Sequence, residues 1–335
     1  LYSRMRTGYV GRSLDSLTCV SGMKSNDVFD VQLISELITN MKCGRAAGLD
    51  DISAEHLKYS HPVVVVLLCK LFNCLLAISP IPFGFCSSYT VPISKTDGHG
   101  RQLNVDDFRG ISISPVISKL FESAILARFS CCLETSHHQF GFKTGLSCSH
   151  AIYSVRNVIE HYISHSSTVN VCSIDLSKAF DRMNHFALYI KLMKAQLPVC
   201  ILEILEKWFA LSVTCVRWGG CDSVFYRCKA GVRQGGVLSP YLFAVFIDDI
   251  VSKAKQTNVG CYMFNVCVSI FLYADDILLL APTVTGLQTL LSACEEELSF
   301  LDMYINDKKS VCIRFGNRYD SPCAPLITAS GTSLC

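Results

Sequence analysis

The stretch Phe271-Leu272-Tyr273-Ala274-Asp275-Asp276-Ile277-Leu278-Leu279-Leu280 sets two adjacent carboxylates inside an otherwise apolar run. Its two halves, Phe271–Tyr273 and Ile277–Leu280, are both strand-like. The pattern predicts a β-hairpin whose turn carries Asp275 and Asp276 to the end of a sheet. Flanks this apolar hold the carboxylates against a buried platform, where charge is costly unless a cation, a basic partner or a proton compensates it. An isolated Asp-Asp in a turn is more often a salt-bridged or turn-capping pair, so the companions decide the reading.

One companion lies about a hundred residues upstream, where the β-rich run Val169–Ile174 ends at Asp175 and a helix opens near Lys178. Three carboxylates at strand ends suit Mg²⁺, which takes a few carboxylates and completes its shell with water and phosphate oxygens. Two such ions about 4 Å apart would activate an attacking oxygen and stabilise a leaving one. Between these sites lies a glycine-rich segment from Gly231, then a predicted helix over Ser239–Ala254 with Pro240 at a tolerated early position.

Outward from this centre, helical spacing runs through Val28–Met41, and Ser53 can cap a short helix ending at Lys58. The apolar stretch between Pro62 and Pro80, interrupted by Lys70 and Asn73, falls short of the roughly 20 residues a membrane span needs and reads as a buried helix. Strands are predicted at 88–93 and 111–115, with a polar loop at Thr96–Arg101 between them. Helices are predicted at 117–132, 149–164, 186–194 and 199–211. Strands over 213–216 and 224–229 pair across Gly219-Gly220, and a last helix over 286–303 precedes a strand at 311–315. This order is α+β rather than a regular βαβ alternation.

Half of the 335 residues are hydrophobic and 17% are charged, which excludes a disordered chain and allows two packed subdomains. The formal net charge of +2 carries no basic surplus. Any attraction for nucleic acid must therefore be local, in the run Arg4–Arg12 and the pair Lys308–Lys309. The 19 cysteines include no C-x₂-C pair facing a second one, which argues against a zinc ribbon and for free, mostly buried thiols in a reducing cytosol or nucleus. His137–His138 and His161–His165 lack the pattern of a metal-binding helix.

Taken with their companions, these residues resemble the reverse transcriptases of non-LTR (LINE-type) retrotransposons. Tyr273-Ala274-Asp275-Asp276 matches the Y-x-D-D box, and Asp175-Leu176-Ser177-Lys178-Ala179-Phe180-Asp181 matches the first palm motif. Gly231-Val232-Arg233-Gln234-Gly235-Gly236-Val237-Leu238-Ser239-Pro240 matches the motif between them. Val91–Lys95 and Asp107–Ser112 look like the two fingers motifs, and Gln139-Phe140-Gly141-Phe142-Lys143 like the next fingers element. Gly48-Leu49-Asp50 resembles an upstream extension, and Asn306, Lys309 and Ser310 resemble the motif after the box.

The resemblance implies a right-hand polymerase core, with a palm of antiparallel sheet backed by helices, with fingers, and with the thumb missing. It implies RNA-directed DNA polymerisation on an RNA template and DNA primer from dNTPs, with two Mg²⁺ ions for which Mn²⁺ substitutes, and no membrane. Asp175, Asp275 and Asp276 would hold metal, helped by the Leu176 carbonyl, and Lys309 would protonate pyrophosphate. Lys95, Arg109 and Gln234 would contact the nucleotide, and Phe180 would stand at the sugar gate, with a core aromatic as the competing reading. Gly235, Gly236 and Tyr273 would meet template–primer.

The expected division is a lead-in over 1–40, fingers and extension over 41–168, and palm over 169–320, with the reverse transcriptase domain spanning about 76–335. Gly110 stands where the family commonly has proline, which should loosen the loop holding Arg109. The tail Ala324–Cys335 ends where the primer grip and thumb are expected, and no endonuclease is read upstream, so a longer polyprotein is expected. A silent relic that only binds RNA is the alternative, and the expected location is cytoplasm and nucleus.

Overall fold

The computed structural model describes residues 2–3, 5–6, 28–79, 81–95, 103–321 and 324–334. Most of the expected lead-in and of the Arg4–Arg12 run, and the Thr96–Arg101 loop, lie outside the described residues. In chain order the elements begin with α1 (Val31–Asn40), α2 (Ala54–Lys58), α3 (Val63–Ile78), α4 (Phe83–Cys86), β1 (Ser87–Ser94), β2 (Phe108–Ile113) and α5 (Val116–Phe129). Next come α6 (Cys148–Ser164), β3 (Val169–Ile174), α7 (Ala179–Arg182), α8 (His185–Lys194), α9 (Val199–Leu211), β4 (Val213–Trp218), β5 (Cys221–Asp222) and β6 (Tyr226–Arg227). The chain continues through α10 (Ser239–Ile247), α11 (Asp249–Gln256), β7 (Tyr262–Met263), β8 (Val266–Cys267), β9 (Ile270–Tyr273) and β10 (Asp276–Ala281). It closes with α12 (Val284–Phe300), β11 (Val311–Phe315), β12 (Leu326–Ile327) and β13 (Ser333–Leu334).

The chain packs as two compact units, each made of two segments: 1–133 with 185–239, and 134–184 with 240–335. The expected boundary at 168/169 falls inside the second unit.

The first unit carries a mixed sheet in the order β2-β1-β4-β5, with β6 also on β4. β1 runs antiparallel to β2 and parallel to β4. The β1–β4 register ends at Thr90↔Val216, just before Pro92, which has no N–H to continue it. Gly110 lies in the β1–β2 ladder opposite Pro92, so Arg109 is a strand residue, and the expectation of a loosened loop is corrected. The core is aromatic. Phe72 and Phe121 lie 4.9 Å apart, Trp208 stacks on Phe121, and the Trp208 indole N–H donates to the Phe85 carbonyl at 3.0 Å. Asn73, one of the residues that interrupt the apolar run of α3, ties down the chain entry: its side chain accepts from Phe29 N and donates to Phe29 O. No described helix is long and apolar enough to cross a membrane.

The second unit carries a wholly antiparallel sheet in the order β11-β3-β10-β9. Val169 and Val171 of β3, Phe271 of β9 and Leu280 of β10 close over Val158 of α6 and Cys261. The single helix expected over 239–254 is two, α10 and α11, parted at Asp248. That carboxylate accepts the Ser136 amide at 3.1 and 2.9 Å, a partner 112 residues away that the local pattern cannot announce.

Candidate active site

β9 and β10 pair with Tyr273 opposite Asp276, which leaves Ala274 and Asp275 as a two-residue turn. Ala274 has φ +57°, a left-handed conformation that such turns normally give to glycine at their first central position. Ile277, directly behind Asp276, is fully buried, so the carboxylates stand on a fixed floor. The hairpin expected from the sequence is therefore present, with its aspartates at the sheet end.

β3, beside β10, delivers Asp175 to the same end, since Ile174 pairs with Ile277. The loop after α12 cradles it. Asn306 N donates to the Asp175 carbonyl at 2.8 Å, and the Asn306 side-chain amide donates to Oδ2 at 2.9 Å. Asp175 N donates to Ser310 Oγ at 3.1 Å, and Ser177 N donates to Tyr304 O at 2.9 Å. Lys309 Nζ stands 4.0 Å from Asp175 Oδ2 with most of its side chain in solvent, a weak ion pair. Leu176 is buried and bridges to Ile305.

The Asp276 carboxyl is pushed above its ordinary range, first by lost hydration and then by the charges of Asp275 and Asp175. Among the described residues, no group of three or more His, Cys, Asp or Glu side chains is set closely enough to cage a metal alone. The donors that β3 and the β9–β10 turn bring to this sheet end are carboxylate oxygens, the ligand type a hard divalent cation takes together with water and phosphate oxygens.

Phe180 is half-buried, stacked on Phe243 at 4.6 Å and meeting Phe142 edge-on at 6.2 Å. It is therefore part of a small aromatic cluster and also partly open. Gln139 to Lys143 lie in the second unit, against the aspartate hairpin. Phe140 N donates to Leu272 O and Leu272 N donates to His138 O, both at 2.8 Å.

The remaining predicted residues belong to the first unit. Lys95 and Arg109 sit at one end of the β1–β2 ladder and are exposed. Arg109 faces Ile93, and Lys95 Nζ donates to Asp106 O at 2.8 Å. Gln234 O accepts the Ser112 amide at 2.7 Å. Gly235 has φ +122°, and a Cβ there would lie 2.6 Å from Ser112 O; one at Gly236 would lie 2.6 Å from Ser239 Oγ and 3.3 Å from Glu122 Oε2. What these glycines approach in the structure is the protein's own strand and helix. Arg6, the described arginine of the N-terminal basic run, is paired with Glu206 at 3.0 Å.

Glu122 escaped the sequence reading. It is buried in α5, accepts the amides of Val237 and Leu238 at 2.6 and 2.8 Å, and has its carboxyl pushed up by burial against the pull of those bonds and of Arg233. Arg233 is likewise sequestered, donating to Phe85 O at 3.0 Å and to Cys86 O. Glu122 is the one carboxylate in the sequence of α5, which was the available signal.

Residues 93–321 match the family model described as reverse transcriptase (RNA-dependent DNA polymerase). The chain is 25% identical over 260 residues to the retrovirus-related Pol polyprotein from type-2 retrotransposable element R2DM of Drosophila melanogaster, covering 78% of this chain and 24% of that one. It is 26% identical over 319 residues to the RNA-directed DNA polymerase from mobile element jockey of Drosophila funebris, covering 92% and 34%. The probable RNA-directed DNA polymerase from transposon X-element of Drosophila melanogaster is 27% identical, with 70% and 26% covered. The chain thus spans about a quarter to a third of the length of these relatives. In fold it is similar to apo telomerase from Candida tropicalis truncated from the C-terminal domain, with a TM-score of 0.50, 16% identity, and 73% of this chain and 52% of that one covered. With a family model over most of its length and an aspartate hairpin beside a third aspartate, the chain belongs to the reverse transcriptase family, as a domain of the non-LTR retrotransposon type.

Proposed function

We propose that this chain performs RNA-templated DNA synthesis, in which a primer 3′-hydroxyl attacks the α-phosphate of a dNTP and pyrophosphate leaves. The observation that carries this reading is that adjacent strands β3 and β10 bring Asp175 and the Asp275–Asp276 turn to one sheet end. Like charges so placed favour a cation, and their oxygen donors suit Mg²⁺ or Mn²⁺. Two bound ions would lower the pKa of the attacking hydroxyl and neutralise charge on the leaving oxygen.

In this reading Asp175 and the Asp275–Asp276 turn hold the metal, and the Leu176 carbonyl is an additional ligand. Asn306 and Ser310 keep Asp175 aimed, through the 2.9 Å bond to its carboxylate and the 3.1 Å bond from its amide. Lys309 would give a proton to pyrophosphate. Lys95 and Arg109 supply fixed positive charge to the triphosphate. Gln234 contacts the nucleotide, Phe180 excludes a 2′-hydroxyl, and Gly235, Gly236 and Tyr273 face template–primer. Affinity for nucleic acid would be phosphate-driven and would fall as salt rises.

The test is primer extension on poly(rA)/oligo(dT) with Mg²⁺, comparing the chain with Asp275→Asn. Extension that falls by about a thousandfold or more in the variant supports the metal assignment. Equal extension by both would refute it. Extension by neither, with RNA still bound, would favour a silent domain that only binds RNA.

A further inference from the structure

The turn that bears Asp275 should not hold itself in place. Ala274 carries a Cβ in the left-handed region, where an L-residue is strained. The parallel pairing of residues 138–140 with Leu272 explains part of its support. The next rung of that ladder would join residue 141 to residue 274 through backbone bonds. The side chain of Gln139 makes that rung instead.

Gln139 is fully buried, so its amide must find partners inside the protein. Its Oε1 accepts from Ala274 N at 3.1 Å and from Gly141 N at 2.8 Å, and its Nε2 reaches Ala274 O at 3.4 Å. One side chain therefore addresses the peptide on each side of Ala274, including the one that leads into Asp275. Gly141 is shaped for the same contact, because a Cβ there would lie 2.3 Å from Ala274 N. An amide suits the place for two reasons. It both accepts and donates, and it adds no charge beside a cluster whose members already raise one carboxyl.

We infer that Gln139 is a positioning residue that sets the affinity of the Asp275–Asp276 turn for a divalent cation, by locking the Ala274 peptides. This rests on the metal-binding reading above and extends it to a side chain that touches neither metal nor substrate. Removing such a supporting contact commonly weakens metal binding by 10–100-fold.

The measurement is Mn²⁺ binding to the whole chain without nucleic acid, read from the electron paramagnetic resonance of free Mn²⁺. Circular dichroism serves as the check of fold. Gln139→Met keeps the bulk and removes all three bonds, and its Mn²⁺ dissociation constant is expected to rise about tenfold. Adding Ala274→Gly, which adopts the turn without strain, should recover most of that loss, which a merely structural defect would not do. Unchanged affinity in a folded Gln139→Met overturns the inference, and so does a loss that Ala274→Gly leaves untouched. If Gln139→Met does not fold, Gln139→Asn takes its place, because it stays neutral and keeps an amide but is one methylene too short to reach both Ala274 peptides. An affinity equal to wild type there would be equally fatal. Asp275→Asn is the control: if it binds Mn²⁺ as wild type does, the metal site has failed, and not its support.

Discussion

Two turns in this chain are held by buried side chains of opposite character. In the second unit, the hairpin that bears Asp275 and Asp276 leans on the neutral amide of Gln139. In the first unit, the neutral loop Gln234–Leu238 leans on the buried, titratable Glu122, which lies near the sequestered Arg233. The contrast follows from what each turn displays. A turn that shows carboxylates gains from an uncharged support, since another negative group would add to the repulsion and a positive one would occupy the cation's role. A turn that shows only backbone tolerates charge behind it, provided the ions satisfy amides and carbonyls and offset each other's burial.

That contrast can be broken most severely at Glu122. Glu122→Ala strands the Val237 and Leu238 amides and leaves Arg233 without its nearby opposite charge. The expected loss is about 3 kcal/mol of unfolding free energy in urea titrations. A loss below about 1 kcal/mol would mean that water or another group replaces the carboxylate.

Glu122→Gln sharpens the same comparison through pH. The carboxyl is held above its ordinary 4.5 in the folded chain, so the unfolded chain gives up this proton first as pH rises. Its contribution to stability is complete below that ordinary value and erodes as pH climbs from there through the folded value. The amide has no proton to lose, and its oxygen can still accept both backbone amides. Wild type should therefore lose stability relative to Glu122→Gln across that window. Parallel profiles would show that the buried bonds hold the carboxylate ionised throughout.

The smallest effect is expected at the other turn. Ala274→Gly removes the strain of the positive φ while leaving the Gln139 bonds in place. The expected gain is about 0.5–1 kcal/mol, less whatever glycine adds to the freedom of the unfolded chain. A destabilised variant would indicate that the Ala274 methyl packs usefully.

How much of this was legible follows from the range of the interactions. The aspartate hairpin could be read because alternation between apolar flanks and a polar turn is local, and β3 ending at Asp175 was legible for the same reason. Asp248 was not, because the Ser136 amide that recruits it is remote in sequence. Gln139 was visible as part of a motif, yet its partner lies 135 residues away, and nothing nearby marks the amide as a buried rung. The glycines at 235 and 236 were read as making room for template–primer, and the sequence could not say that their neighbours include Ser112 and Glu122, which are remote in the chain.

The order β11-β3-β10-β9 also has a consequence in time. β3 is made first and ends up between two strands, with Ile174 waiting for Ile277 and Val169 waiting for Phe315. At a translation rate of about 5–20 residues per second, the strand that carries Asp175 stays without either neighbour for roughly 5–20 seconds. Until β10 arrives, it is an apolar edge open to any passing strand. The three aspartates therefore meet only late in synthesis, and a nascent chain that stalls before residue 276 cannot assemble the site proposed for a cation.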